Sequence, residues 1–389
     1  MVYNSECIRC AVASMAPFPK GNVSTLRFSS YLYSLSKKNI YTLVLIYSPS
    51  SMAKNIKSRH GICRGVEYHY TTKPTWGKYS NLISKIIYLL FGVVRSIKYL
   101  KNRNINVLIL YGETFFIVNL IYWIVCKSLR IKYLGDRSEY PSVSIRKSKL
   151  KSWIYKKKIG LFDGIIVMTR ELFNYYSTCF ANPSSCFLLP MTIDSERFDN
   201  LKYRNRGEYI ATVFGTHNRD GLYETLQSFN KYIMSGGRYD LILIGNYNSM
   251  PNKKELDKFI DDNKLKDRLC IMGTVDISDV PKLLYNASCL VTTPNFYISG
   301  GFPTKLGEYM LSGTPVVATN AGEISKYVVD KKEILLSQPG DIADIADNLL
   351  FVERNKLFAD KMAQMAEMKV RHVFSAETYM EELLKYMVK

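Results

Sequence analysis

Short runs of consecutive apolar, largely β-branched residues alternate along the chain with longer stretches whose apolar positions recur every three to four residues. The first kind fits strands buried on both faces and the second fits helices that cover them, so their alternation is the pattern of a parallel α/β fold. In the first half the pattern predicts strands near residues 7–15, 41–47, 66–70, 106–111, 132–135, 164–168 and 186–189. In the second half it predicts strands near 210–215, 241–245, 269–273, 289–293 and 315–319, again with helices between. Two doubly wound Rossmann-like domains follow. The loop Pro190-Met191-Thr192-Ile193-Asp194 has no helix period, so the boundary is expected there, with residues 1–192 in one domain and 193–372 in the other. Tyr379, Leu383 and Met387 stand at helical spacing, and a closing helix within 373–389 is expected to pack back on the first domain. Residues 82–100 are apolar nearly all round, interrupted by Lys85, Arg95 and Lys98, and read as an ordinary core helix, with a membrane-facing helix as the alternative. The apolar run 115–126 ends at Lys127, too short to cross a bilayer.

The length of 389 residues allows two or three domains, and 47% hydrophobic with 22% charged residues describes an ordinary globular chain, not a collagen-like, mucin-like or disordered one. The net charge of +19 is unevenly placed. Through Asp194 there are 28 Lys and Arg against 8 Asp and Glu, and after it 25 against 26. A basic half points to a surface that meets phosphates, on lipid headgroups or nucleic acid. Residues 146–158, RKSKLKSWIYKKK, hold seven cations and no acid, and on a helix Leu150, Trp153 and Ile154 share one face. Such a helix lies on anionic lipid. No zinc spacing, RNA-binding aromatic signature or DNA-reading motif supports nucleic acid, so an anionic membrane surface is the expected partner of the basic domain. The eight cysteines are scattered without a disulfide framework, and the Cys7/Cys10 pair reads as strand interior. No secretory signal is evident, and a cytosolic protein is expected.

Residues 299–319, SGGFPTKLGEYMLSGTPVVAT, carry the strongest chemical signal. Glycines feeding a helix that opens near Pro303 leave free backbone N–H groups and the positive end of a helix dipole facing one point, which is a seat for phosphate. Lys305 stands in the first turn, where it can reach the same phosphate. Glu308, one turn on, can accept hydrogen bonds from two neighbouring hydroxyls of a ribose.

The block FPTKLGEYMLSGTPVVAT resembles the nucleotide-sugar signature of family 4 glycosyltransferases. PFPKGNVSTLR at 17–27, LFDGIIVMTREL and VFGTHNRDGLYETLQSF are similar to further segments of that family. The resemblance implies the GT-B fold, two Rossmann-like domains facing a central cleft, with the acceptor on the first and the nucleotide-diphosphate sugar mainly on the second. It implies a retaining transfer to a hydroxyl of a lipid-linked or oligosaccharide acceptor, of the kind used in capsule or O-antigen synthesis, on the inner face of the cytoplasmic membrane.

Carried over by position, the resemblance assigns Gly21, Asn22, Gly215, Thr216, His217, Arg219, Gly300, Gly301, Phe302, Pro303, Thr304, Lys305, Leu306 and Glu308 to the donor. Glu308 matches the second of the family's paired glutamates. Gly300 stands where the first would be, and that departure keeps open a glycosyltransferase-like protein without activity. A nucleotide-sugar epimerase of the same architecture is the other alternative. Arg219 stands where the family usually has Lys and, with Lys305, would neutralise the diphosphate. Arg27, Asp136, Arg137 and Glu139 fall on the acceptor side, with Glu139 the candidate to orient or deprotonate the acceptor hydroxyl. Catalytic roles thus go to Glu139, Arg219 and Lys305. No Asp-x-Asp follows a strand, and Asp261-Asp262 lies in a charged helical stretch, so no metal or other cofactor is expected. The first strand leads into PFPKGN and not a G-x-G-x-x-G turn, which disfavours a dehydrogenase.

Overall fold

The structure, a computed structural model, describes residues 8–53, 56, 58–76, 81–201, 203–295 and 302–389. They divide into two units: one takes the residues up to Asp194 and again Ala376–Lys389, the other the described residues from Ser195 to Ser375.

The first unit is built on β1 (Arg9–Ser14), β2 (Tyr41–Ile46), β3 (His60–Cys63), β4 (Val66–Tyr70), β5 (Val107–Tyr111), β6 (Lys132–Arg137), β7 (Gly164–Val167) and β8 (Cys186–Leu188). Their order is β3-β4-β2-β1-β5-β6-β7-β8, parallel except for the antiparallel pair β3 and β4. The second unit holds β9 (Tyr209–Val213), β10 (Asp240–Ile244), β11 (Leu269–Gly273), β12 (Cys289–Thr292), β13 (Val316–Thr319) and β14 (Leu335–Ser337), all parallel in the order β11-β10-β9-β12-β13-β14. Both units are doubly wound, and the strand order reverses between β1 and β5 in one and between β9 and β12 in the other. Crevices open at the carboxyl ends of strands at such reversals, and ligands gather there.

Each strand that the apolar runs predict is present. The two that they miss are edge strands. In β3 the residues are half-exposed or exposed throughout, so no apolar run marks them, and only the turn at Arg64 and Gly65, both with positive φ, signals the hairpin. β14 is three residues long.

The closing helix, Met380–Val388, buries Met380, Leu383 and Met387 in the core of the first unit. Its Tyr386 ring stacks on Phe187 at 5.0 Å, and the hydroxyl donates to the Ser185 carbonyl (2.6 Å). The Leu82–Asn102 helix departs from the core-helix reading. It buries only Leu89, Gly92, Val93, Ser96 and Leu100, while Ile83, Ile87, Phe91 and Val94 stand exposed on its other side. No described helix is long and apolar enough to cross a membrane. Cys10 is fully buried inside β1 and the seven described cysteines are free; Cys7 lies outside the described residues.

Candidate functional site

In the second unit the loop after β9 and the segment after β12 meet at the strand reversal. Gly221 makes this approach possible. It has φ 72°, and a Cβ there would fall 1.6 Å from the Thr293 carbonyl oxygen, so only glycine fits. The Thr293 hydroxyl donates to the Gly221 carbonyl (2.7 Å) and is bonded to the Thr225 hydroxyl (2.6 Å), which pins the loop to the end of β12.

On this base Asp220 organises the polar groups. Its Oδ2 accepts the Gly215 backbone N–H and lies 2.9 Å from Lys305 Nζ. Lys305 projects from the first turn of the Thr304–Leu311 helix and is one-fifth exposed. Burial lowers its pKa, Asp220 opposes that shift, and Arg219 adds to it as a neighbouring positive charge. The structure thus brings Gly215, Arg219 and Lys305 together. Thr216 and His217 are exposed on the same loop. Asp220 was not among the residues expected; an acid flanked by Arg219 and Gly221 in a strand-end loop was the available signal.

Glu308, on the face of that helix one turn beyond Lys305, is bonded to Arg197 Nη1, and Arg197 Nη2 also donates to the Ile277 carbonyl (2.8 Å). No sequence pattern links positions so far apart, and Arg197 escaped the sequence reading for that reason. Between them Tyr309 is buried, its hydroxyl accepting the Val213 N–H at the end of β9. Phe302 packs on Tyr327 and Phe374, and Leu306 is fully buried. As donor contacts these two are therefore corrected: their side chains belong to the core, and only backbone atoms remain to meet a ligand. Pro303 caps the helix without a side-chain bond, and Thr304 is half-buried in its first turn. Gly300 and Gly301 lie outside the described residues.

In the first unit Asn22 caps the Val23–Lys37 helix, its side chain accepting the Ser24 and Thr25 N–H groups. Gly21 precedes it, and a Cβ there would meet Thr25 Oγ1 at 2.0 Å. Three acceptor-side assignments are corrected. Arg27 is 2% exposed and donates to the Leu189 (2.7 Å) and Pro190 carbonyls, bracing the end of β8. β6 runs two residues further than predicted, so Asp136 and Arg137 are strand residues with fully enclosed side chains. Burial raises the Asp136 pKa, with Arg27, 3.9 Å away, pulling it down. Arg137 faces Glu113 (3.3 Å), which also binds Lys158 (2.7 Å). Glu139 is exposed on the loop after β6, and its carbonyl accepts the Tyr176 hydroxyl (2.9 Å). Asp261, exposed near the end of the Lys253–Asp262 helix, pairs with Lys266 in the turn that follows, and no group of metal-ligating side chains occurs among the described residues.

Two doubly wound, largely parallel sheets give the chain the fold of the GT-B glycosyltransferases. Residues 208–355, within the second unit, match the family "Glycosyl transferases group 1". Over 152 residues the chain is 28% identical to the alpha-1,3/1,6-mannosyltransferase ALG2 of Dictyostelium discoideum; that stretch covers 39% of the chain and 34% of the relative, so the match spans about a third of the relative's length. The fold is that of sucrose-phosphate synthase from Thermosynechococcus elongatus (TM-score 0.73, 14% identity, 98% of this chain and 99% of that one). It is likewise that of Anabaena HepE, solved in complex with UDP and glucose (TM-score 0.71, 14% identity, 97% and 99%).

Proposed function

We propose that the protein transfers a sugar, with retention of configuration, from a nucleoside-diphosphate sugar to a hydroxyl of a lipid-linked glycan. The observation that carries this reading is the Asp220–Lys305 pair with Arg219 beside it at the β9/β12 reversal, one helical turn from Glu308. Two cations beside the start of the helix supply charge for a diphosphate, and a carboxylate one turn away suits a ribose. The HepE complexes with UDP and with UDP-glucose, on the same fold, support a nucleotide-sugar donor.

In this mechanism Lys305 and Arg219 take up the negative charge that grows on the departing diphosphate, and no bound metal is needed. The diphosphate oxygen accepts the acceptor's proton as the new glycosidic bond forms on the face it leaves. Asp136 is enclosed, so Glu139 is the carboxylate on its loop with the exposure to orient the acceptor hydroxyl. The basic first unit keeps the enzyme at the inner face of the cytoplasmic membrane, where such acceptors for capsule or O-antigen synthesis reside.

The test is calorimetric titration with UDP, GDP and their sugar conjugates on the wild type and Glu308→Ala, followed by product analysis with the donor that binds. Binding of one nucleoside diphosphate, weakened in Glu308→Ala, supports the reading. A protein that binds none of them overturns it.

A further inference from the structure

Three helices of the first unit, Leu82–Asn102, Phe116–Leu129 and Lys149–Ile159, form one layer. The Ser96 hydroxyl is bonded to the Tyr122 hydroxyl (2.8 Å), and Asn119 donates to the Lys158 carbonyl (3.1 Å). Each helix turns one side inward: Leu89 and Val93 from the first, Val118 and Tyr122 from the second, Tyr155 and Ile159 from the third.

The outward sides are apolar as well. On the first helix Ile83, Ile87 and Val94 line up at helical spacing opposite the buried stripe, with Phe91 beside them; Ile83 is 69% exposed. On the second, Phe116, Ile117 and Ile124 point outward, and on the third Leu150, Trp153 and Ile154, with Trp153 59% exposed. Single exposed apolar side chains are ordinary on a soluble protein. Ten large ones on one layer mark a surface that something covers.

Their charge identifies what covers it. None of the three helices contains an Asp or Glu, although acids are favoured in the first turn of a helix, whereas Lys85, Arg95, Lys98, Lys149, Lys151 and Lys157 rise among the apolar groups. The cations lie against the aromatic rings: Arg95 is 4.2 Å from the centroid of Phe91 and Lys157 5.7 Å from that of Trp153. A second copy of the chain would set cations against cations, and nucleic acid has no use for the aliphatic stripe.

We propose that the outer face of this three-helix layer docks on an anionic bilayer, with the Leu82–Asn102 helix lying in the interfacial plane and its Ile83, Ile87, Phe91 and Val94 stripe among the acyl chains. The inference deepens the membrane part of the proposed function by naming the surface and its lipid class. Aliphatic groups enter the headgroup boundary while the long basic side chains reach back to the phosphates.

The experiment is co-sedimentation of the full chain with vesicles of equimolar phosphatidylglycerol and phosphatidylcholine, and with vesicles of phosphatidylcholine alone. Binding is expected to the anionic vesicles, with a blue shift of tryptophan emission that Trp153→Phe reduces. Ile87→Glu with Phe91→Glu should lower the partition at least about tenfold, and Lys149→Gln about fivefold. All three substitutions sit on exposed positions, and unchanged circular dichroism and melting confirm folding. Equal partition of wild type and the double variant overturns the proposal, as does equal binding to neutral vesicles. Lipid-free self-association abolished by Ile87→Glu also overturns it, giving the face to a second copy. Nucleotide binding measured without lipid separates the two readings: lost vesicle binding with intact nucleotide binding defeats only the docking face.

Discussion

Arg197 holds Glu308 from one side. One guanidinium nitrogen is bonded to Oε1 of the carboxylate and the other to the Ile277 carbonyl, so the carboxylate is oriented and its second oxygen is left for a ligand. Charge-assisted hydrogen bonds of this kind contribute roughly 1.5–3 kcal/mol. Glu308→Ala is therefore expected to weaken nucleoside-diphosphate binding by about ten- to a hundredfold. Arg197→Ala should weaken it less, and the double variant should lose no more than Glu308→Ala alone. Additive losses in calorimetry would show that Arg197 does not act through Glu308.

Lys305 sets a pH dependence. Its pKa lies below the usual 10.5 because burial disfavours the ammonium more than Asp220 favours it. The folded chain therefore holds fewer protons than the unfolded chain between the lowered value and 10.5, and the cost of burying the charge eases as pH rises through that window. Diphosphate binding runs the other way, because it needs the proton. Affinity should fall with rising pH before the ordinary lysine range is reached. Lys305→Arg should remove the fall, and Asp220→Asn should move it to lower pH; a pH series of nucleotide titrations reads all three.

Gly221 and Gly236 both have positive φ, 72° and 92°, but only Gly221 faces a neighbour, since a Cβ at Gly236 meets nothing within 4 Å. Gly236→Ala should cost about 1 kcal/mol of stability from backbone strain alone. Gly221→Ala should cost at least about 2–3 kcal/mol, and it should weaken nucleotide binding too, because Thr293 must move. Equal melting temperatures for the two variants would contradict the close approach.

Arg27 and Asp136 form a buried pair with no access to a ligand. Arg27→Met strands the Leu189 and Pro190 carbonyls and removes the charge opposing Asp136, so a loss of about 3–5 kcal/mol is expected in denaturant unfolding. Adding Asp136→Asn should recover part of it. If the double variant is no more stable than Arg27→Met, Asp136 does not depend on Arg27.

Most of the twelve strands legible in the sequence are buried on both faces, which leaves an uninterrupted apolar signal; β4 shows instead as an alternating run, and β11 is apolar in sequence although largely exposed. β3 lacks that signal and β14 is too short to carry one. At the site, Lys305 and Glu308 were visible because one helical turn joins them in sequence as in space. Arg197 was hidden because its contact with Glu308 exists only after folding. Arg27, Asp136 and Arg137 were misread from the opposite cause: charge at a strand end suggests exposure, and only the extra length of β6 and the end of β8 put these groups inside. The Leu82–Asn102 helix was apolar all round in sequence, and periodicity alone does not tell a face turned to the core from one turned outward.

The return of Ala376–Lys389 to the first unit sets an order of assembly. During synthesis every residue of the second unit emerges before Met380, Leu383 and Met387 are available to the core that they complete. The second unit is continuous in sequence and can fold while the ribosome is still at work, whereas the unit with the apolar outer layer stays unfinished until its closing helix arrives. Loss of that short segment would thus unsettle the opposite end of the chain and leave the second unit intact.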